Sequence, residues 1–168
     1  MRIYCDGIFD LVHNGHIKHF KKIHDLFDEP IYLIVGIISD KVATGYKRVP
    51  ILNENIRYNI LSNCVYTSEC IITDQLIMTE EFLEFHKIDY VVHGFNDTID
   101  KAKQSEFFEI PIRLNKFKEL EYNEGVSTTQ IIHDNNIDWK EVIDNGDIIE
   151  ILFKLNNLDK SLFTSAFC

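Results

Sequence analysis

The chain has 168 residues, 45% hydrophobic and 26% charged, which suits one globular domain large enough for a core of its own. Its formal net charge of −10 argues against nucleic acid as a partner, so an anionic ligand has to be met by a local group of cations. No apolar run approaches the roughly 20 residues that span a bilayer. No signal peptide is expected, and Cys5, Cys64, Cys70 and Cys168 follow neither zinc-finger nor CxxC spacing; reduced thiols and a cytoplasmic location are the expectation.

Residues 1–5 read as a buried strand, followed by a turn at Asn14 and Gly15 and a helix over residues 17–27. Residues 31–37 are a continuous apolar, β-branched run, the pattern of a strand covered on both faces. A short helix starts near Ser39. Residues 53–63 have helical periodicity, with Asn53 as N-cap and Ile56, Ile60 and Leu61 facing inward. Residues 70–72 form a short strand, Thr79 caps a helix through His86, and residues 89–93 form another buried strand. Residues 110–114 are read as the last strand. Strands alternating with helices predict a parallel sheet between two helix layers, with ligands beyond the carboxyl ends of the strands. His13, Ser39 and Gly94 follow predicted strand ends and are expected to line one crevice.

Residues 4–16 (YCDGIFDLVHNGH) carry most of the chemistry. A strand that turns through glycine-containing backbone into a helix start presents free N–H groups and the positive end of a helix dipole, a cradle for an anion. His13 and His16 at that place can donate hydrogen bonds to phosphate oxygens and offset charge that develops in phosphoryl transfer. The same pair is also compatible with a partial metal site or with plain polar loop residues, although no further ligand stands at zinc-site spacing nearby. Lys47 and Arg48 are adjacent cations in a glycine-containing loop, and Arg57 follows on the next helix.

This motif resembles the HxGH signature of the cytidylyltransferase family, within the HIGH-type nucleotidyltransferases. It is most similar to the choline-phosphate and ethanolamine-phosphate cytidylyltransferases. The resemblance continues in residues 32–40 (YLIVGIISD), in Lys47 followed by residues 53–58 (NENIRY), in residues 78–94 (MTEEFLEFHKIDYVVHG), and in residues 124–132 (EGVSTTQII), a counterpart of the family's RTEGxSTxxII. It covers about residues 2–133 and implies an α/β, Rossmann-like three-layer sandwich with a central parallel sheet. Residues 1–135 would be the catalytic domain, and residues 136–168 a short helical extension packing on the domain or on a dimer partner.

The implied reaction joins CTP to a phosphomonoester, giving a CDP-alcohol and pyrophosphate, with Mg2+ arriving on the nucleotide and no metal site of the protein's own. His13, His16 and Lys47 would be catalytic, the histidines on the α and β phosphates and Lys47 between nucleotide and acceptor. Nucleotide binding would fall to Gly7, Ile8, Phe9, Asp10, Gly15, Arg57, His93, Gly94, Gly125, Val126, Ser127, Thr128 and Thr129. The last three are also a natural N-cap cluster. Acceptor binding would fall to Asp10, Phe95, Asn96, Asp97 and Tyr122, with Phe95, Tyr122 and Trp139 as candidate aromatic walls.

The departures are specific. The family's Arg-Thr before Glu-Gly is Tyr122-Asn123, so one cation is missing, with Arg113 or Lys118 as candidate replacements. The Glu before Arg57 is Ile56, and Val-Asp-Glu-Val is replaced by residues 67–70 (TSEC). The stretch His93-Gly94-Phe95-Asn96-Asp97 is closer to the His-Gly-Asn-Asp of the ethanolamine-phosphate enzymes, and a primary ammonium suits acceptors such as Asn96 and Asp97. Phosphoethanolamine is therefore favoured over phosphocholine, and glycerol 3-phosphate is a further alternative. An inactive, nucleotide-binding regulator is the alternative from another class. Residues 147–153 are read as a helix with one apolar face. The acidic tail is repelled by anionic lipid, so no stable membrane association is expected, and the resemblance implies a homodimer.

Overall fold

The computed structural model describes residues 1–121, 128, 131, 137–146 and 148–164. Strands β1 (Arg2–Gly7), β2 (Tyr32–Ile38), β3 (Glu69–Thr73), β4 (Tyr90–His93) and β5 (Phe117–Glu119) form one parallel sheet in the order β3-β2-β1-β4-β5. Helices α1 (Asn14–Asp25), α2 (Asp40–Tyr46), α3 (Glu54–Ser62), α4 (Glu80–Phe85), α5 (Thr98–Gln104) and α6 (Glu109–Arg113) occupy the connections. Two more, α7 (Trp139–Asp144) and α8 (Ile148–Leu155), follow the sheet. The strand order reverses between β1 and β4, which is where an α/β sheet of this kind opens a crevice.

Alternation along the strands divides the core in two. Ile3, Cys5, Leu33, Val35, Ile37 and Val92 face the cluster that holds Phe20 and Ile23 of α1 and Ile60 and Leu61 of α3. Tyr4, Ile34 and Val91 face the other, built from Met78, Leu83, Ile88, Phe95 and Phe108. A period-2 split of continuous apolar strands onto two buried faces is the physical content of a three-layer sandwich. Gly36 in β2 leaves room for Tyr4 in β1, because an added Cβ would overlap the Tyr4 hydroxyl.

The segment after residue 136 joins the first cluster through Trp139, Ile148, Leu152, Phe153, Leu158 and Phe163. Asn156 donates to the Val12 carbonyl at 3.1 Å and accepts from the Asn14 amide at 2.7 Å, so this segment braces the turn before α1. Asp147, the first residue of the helix expected there, lies outside the described residues.

Two expectations need correction. Residues 110–114 are not a strand: α6 covers Glu109–Arg113, and the last strand is the three-residue β5. Pro111 explains this, since it offers no N–H to a ladder but is tolerated in the first turn of a helix. Asn14 and Gly15 are not the turn either; they are the first two residues of α1. The chain reverses earlier, with Phe9 and Leu11 at φ of 51° and 46°.

Candidate active site

The turn between β1 and α1 forms the floor of a cavity of about 380 Å³, within the size range of small-molecule sites. Phe9 enters it in a left-handed conformation and folds its ring over Gly7, where an added Cβ would lie 2.9 Å from the ring. Four distant groups hold this turn. The Ile8 carbonyl accepts from Arg57 at 2.6 Å, and the Asp10 carboxylate accepts from the Ile51 and Leu52 N–H groups at 2.8 and 3.0 Å. The Asp10 carbonyl accepts from the Thr128 hydroxyl at 2.9 Å, and Val12 is held by Asn156.

His13 is the N-cap of α1. The Gly15 N–H donates to its Nδ1 at 3.1 Å, and the His13 N–H donates to Nδ1 of His16 at 3.4 Å. The two rings stack with centroids 3.8 Å apart at 22°, and Phe9 meets His16 edge-on. Burial lowers the His13 pKa to about 4. It lowers that of His16 well below the ordinary value, with smaller effects from His13, His19 and Lys47. Both rings are therefore neutral at pH 7. A neutral ring that accepts at Nδ1 carries its proton on Nε2, so the reciprocal caps leave each histidine with an Nε2–H donor. The first turn of α1 contains no acidic residue. The first-turn N–H groups of Gly15, His16 and Ile17 are taken by His13, so it is the helix dipole and the two neutral Nε2–H donors that form a site for phosphate oxygens.

Two cations reach the same cavity from the end of α2. Lys47 is its C-cap and is exposed, and the guanidinium of Arg48 pairs with Asp10 at 2.8 Å. On the opposite side, at the ends of β1 and β4, Asp6 accepts from His93 Nδ1 at 3.2 Å. Gly94, Asn96, His19, Tyr46 and Gln104 complete that side.

Of the predicted residues, Gly7, Ile8, Phe9, Asp10, His13, Gly15, His16, Lys47, His93, Gly94, Asn96 and Thr128 line this one cavity. Others lie elsewhere. Arg57 is fully buried, donating to the Leu52, Ile8 and Ile38 carbonyls and to Asp40, and it does not reach the cavity. Ser39 caps α2 and donates to Asp74. Phe95 and Trp139 are core residues, and Asp97 caps α5. Asp10 lines the cavity, but the residue is only 2% exposed and its carboxylate is committed to Ile51, Leu52 and Arg48. Neither proposed substitute for the missing cation lines the cavity: Arg113 pairs with Glu80, and Lys118 lies over the Phe27 and Tyr90 rings. Tyr122, Gly125, Val126, Ser127 and Thr129 lie outside the described residues.

Asp6, His19, Tyr46 and Gln104 are additions to the predicted set. His19 was legible as the residue one helical turn after His16. Gln104 carries no sequence signal, because only the α5 connection brings it back to β4.

Residues 4–134 match a family model described as Cytidylyltransferase-like. Choline-phosphate cytidylyltransferase 2 of Arabidopsis thaliana is 37% identical over 133 residues, covering 79% of this chain and 43% of that protein. Choline-phosphate cytidylyltransferase A of Homo sapiens is 35% identical over 79% of this chain and 35% of its own length. Ethanolamine-phosphate cytidylyltransferase of Dictyostelium discoideum is 32% identical over 79% and 36%. The chain thus spans less than half the length of these relatives. Among solved structures, the lipopolysaccharide core biosynthesis protein from Thermoplasma volcanium GSS1 superposes with a TM-score of 0.57 at 25% identity, over 75% of this chain and 98% of that one.

Proposed function

Because the chain belongs to the cytidylyltransferase-like family, we propose that it joins CTP to a phosphorylated amino alcohol, phosphoethanolamine ahead of phosphocholine, for phospholipid synthesis. An oxygen of the acceptor phosphate attacks the α-phosphorus of CTP. The bond from that phosphorus to the bridging oxygen breaks, and pyrophosphate leaves. No covalent enzyme intermediate is required, so catalysis is a matter of position and charge.

The observation that carries this reading is the start of α1, open to the cavity and flanked by two neutral Nε2–H donors. His13 and His16 donate to the α and β phosphate oxygens as charge moves onto the leaving pyrophosphate. Lys47 bridges nucleotide and acceptor. Arg48 also lines the cavity, paired with Asp10, and it is the intact His13, His16 and Lys47 that favour an enzyme over an inactive binder. Mg2+ rides on the triphosphate oxygens. No described helix is long and apolar enough to cross a membrane. A cytoplasmic homodimer completes the proposal, and elution as a monomer at assay concentration would remove its dimeric part.

The test is pyrophosphate release with CTP and Mg2+ against phosphoethanolamine, phosphocholine and glycerol 3-phosphate, with His13→Ala as control and CTP binding measured alongside. Turnover that the control abolishes supports the enzyme. CTP binding without turnover of any acceptor overturns it in favour of a regulatory nucleotide-binding protein.

A further inference from the structure

The cavity has two chemically different ends. The α1 start, Lys47 and Arg48 face phosphate chemistry, whereas the ends of β1 and β4 present acceptors of hydrogen bonds. His19 joins the two. It shares a helix face with His16, three residues earlier. Its ring also stands against the backbone at the end of β4, where a Cβ on Gly94 would lie 3.8 Å from the His19 Cε1. We propose that His19, with Gln104, determines acceptor choice by forming a head-group subsite that holds a primary ammonium and rejects a trimethylammonium. This rests on the cytidylyltransferase reading and refines it.

Three side chains at this end keep acceptor capacity open among the described residues. The Asp6 side chain is only 7% exposed, and its Oδ1 is met by His93 while Oδ2 has no partner among the described residues. Gln104, also buried, donates from Nε2 to Asp100 at 2.7 Å, and its carbonyl oxygen accepts no hydrogen bond among the described residues. His19 makes a ring contact with Phe20 but no hydrogen bond among the described residues. Burial, His93 and Lys22 lower its pKa to about 4, so at pH 7 it is a neutral ring with one acceptor nitrogen.

A mostly buried carboxylate that lines one cavity with two further acceptors favours a cation that donates. A primary ammonium has three N–H groups for Asp6, His19 and Gln104. A trimethylammonium has none. It would desolvate those acceptors without satisfying them, and it would need aromatic faces in their place. The rings beside His93 do not provide such faces, because Phe95 and Phe108 are buried in the core behind it. Among the described residues, Tyr46, more than a third exposed, is the Tyr, Phe or Trp side chain that lines this end.

The experiment measures pyrophosphate release with CTP and Mg2+ for phosphoethanolamine and its mono-, di- and trimethylated forms. The wild type is expected to lose kcat/KM with each methyl, by about 10²-fold across the series, since a site with buried acceptors rejects a ligand that cannot donate to them. His19→Ala should narrow that ratio about tenfold, through a raised KM for phosphoethanolamine at an unaltered KM for CTP. His19→Gln, which keeps an acceptor, should retain most of the selectivity. Thermal unfolding confirms that each variant is folded. A wild type that prefers the trimethylated acceptor overturns the proposal. So does His19→Ala slowing all acceptors equally or raising the KM for CTP, which would place His19 with the phosphate-binding histidines. Absence of wild-type turnover with every acceptor removes the cytidylyltransferase reading as well, and is thereby distinct from a loss of the His19 assignment alone.

Discussion

Helices α1 and α2 begin at the same edge of the sheet, each as the next element after a central parallel strand, yet only one of them is left open to an anion. At α2 the protein fills the position itself. Ser39 caps the helix and donates to Asp74, the Asp40 N–H donates to Glu54 at 2.7 Å, and the Glu54 N–H returns to Asp40 at 3.1 Å. At α1 the cap is a histidine pair and the first turn has no acid, whereas every other described α-helix carries an acidic residue there. In a chain of net charge −10, the helix start left without a carboxylate is the one that faces the cavity. Arg57 stands between the two starts, bonded to the Ile8 carbonyl before one and to Ile38 and Asp40 at the other.

Breaking that shared support should have the largest effect. Arg57→Ala leaves Asp40 and three buried carbonyls without their donor, and is expected to cost about 3–5 kcal/mol of stability by urea unfolding. Separating capping from chemistry comes next. His13→Asn keeps an N-cap but loses the Nε2–H, so turnover should fall about 10²–10³-fold while the unfolding midpoint stays near wild type.

Acid should also strike α1 harder than α2. The His13 pKa of about 4 lies below the ordinary 6.5, so between those values the unfolded chain binds the extra proton. Stability is then full above pH 6.5 and is lost as pH falls towards 4, by roughly 3 kcal/mol for this ring. His13→Asn should flatten that part of the pH–stability curve.

Gly15→Asp would make α1 resemble α2. It should weaken CTP binding about tenfold in a direct titration while leaving the fold as stable or slightly more so, because a first-turn carboxylate complements the helix dipole. Ser39→Ala, by contrast, removes a cap and the hydroxyl bond to Asp74, and should cost about 1–2 kcal/mol with turnover nearly unchanged.

Local pattern made much of this visible in the sequence. Asn53, Thr79 and Ser39 are N-caps where hydroxyl or amide side chains precede helical periodicity. The apolar run of β2 is buried on both faces from Leu33 onward. The positions that local pattern did not settle have a common cause, which is that they turned on partners distant in the chain. Ile110, Ile112 and Leu114 alternate as a strand would, but the proline among them and the contacts of Ile110 and Phe108 with the second core cluster make the segment helical. Arg57 reads as a surface residue of an amphipathic helix, or, by resemblance, as a nucleotide ligand. Its position at 0% exposure depends on three carbonyls from three separate segments.

The sequence by itself determined the strand–helix alternation, the histidine pair at a helix start and the absence of acid beside it, because each depends on neighbours within a few positions. Tertiary structure decided what that start faces. Asp6, His93, His19 and Gln104 converge only because β4 pairs with β1 and the α5 connection returns over the strand ends. The turn carrying the site keeps its left-handed residues because Arg57, Ile51, Leu52, Thr128 and Asn156 hold it from elsewhere in the chain. Backbone strain of that kind persists only where the surrounding structure over-determines it, and no local pattern encodes the surroundings.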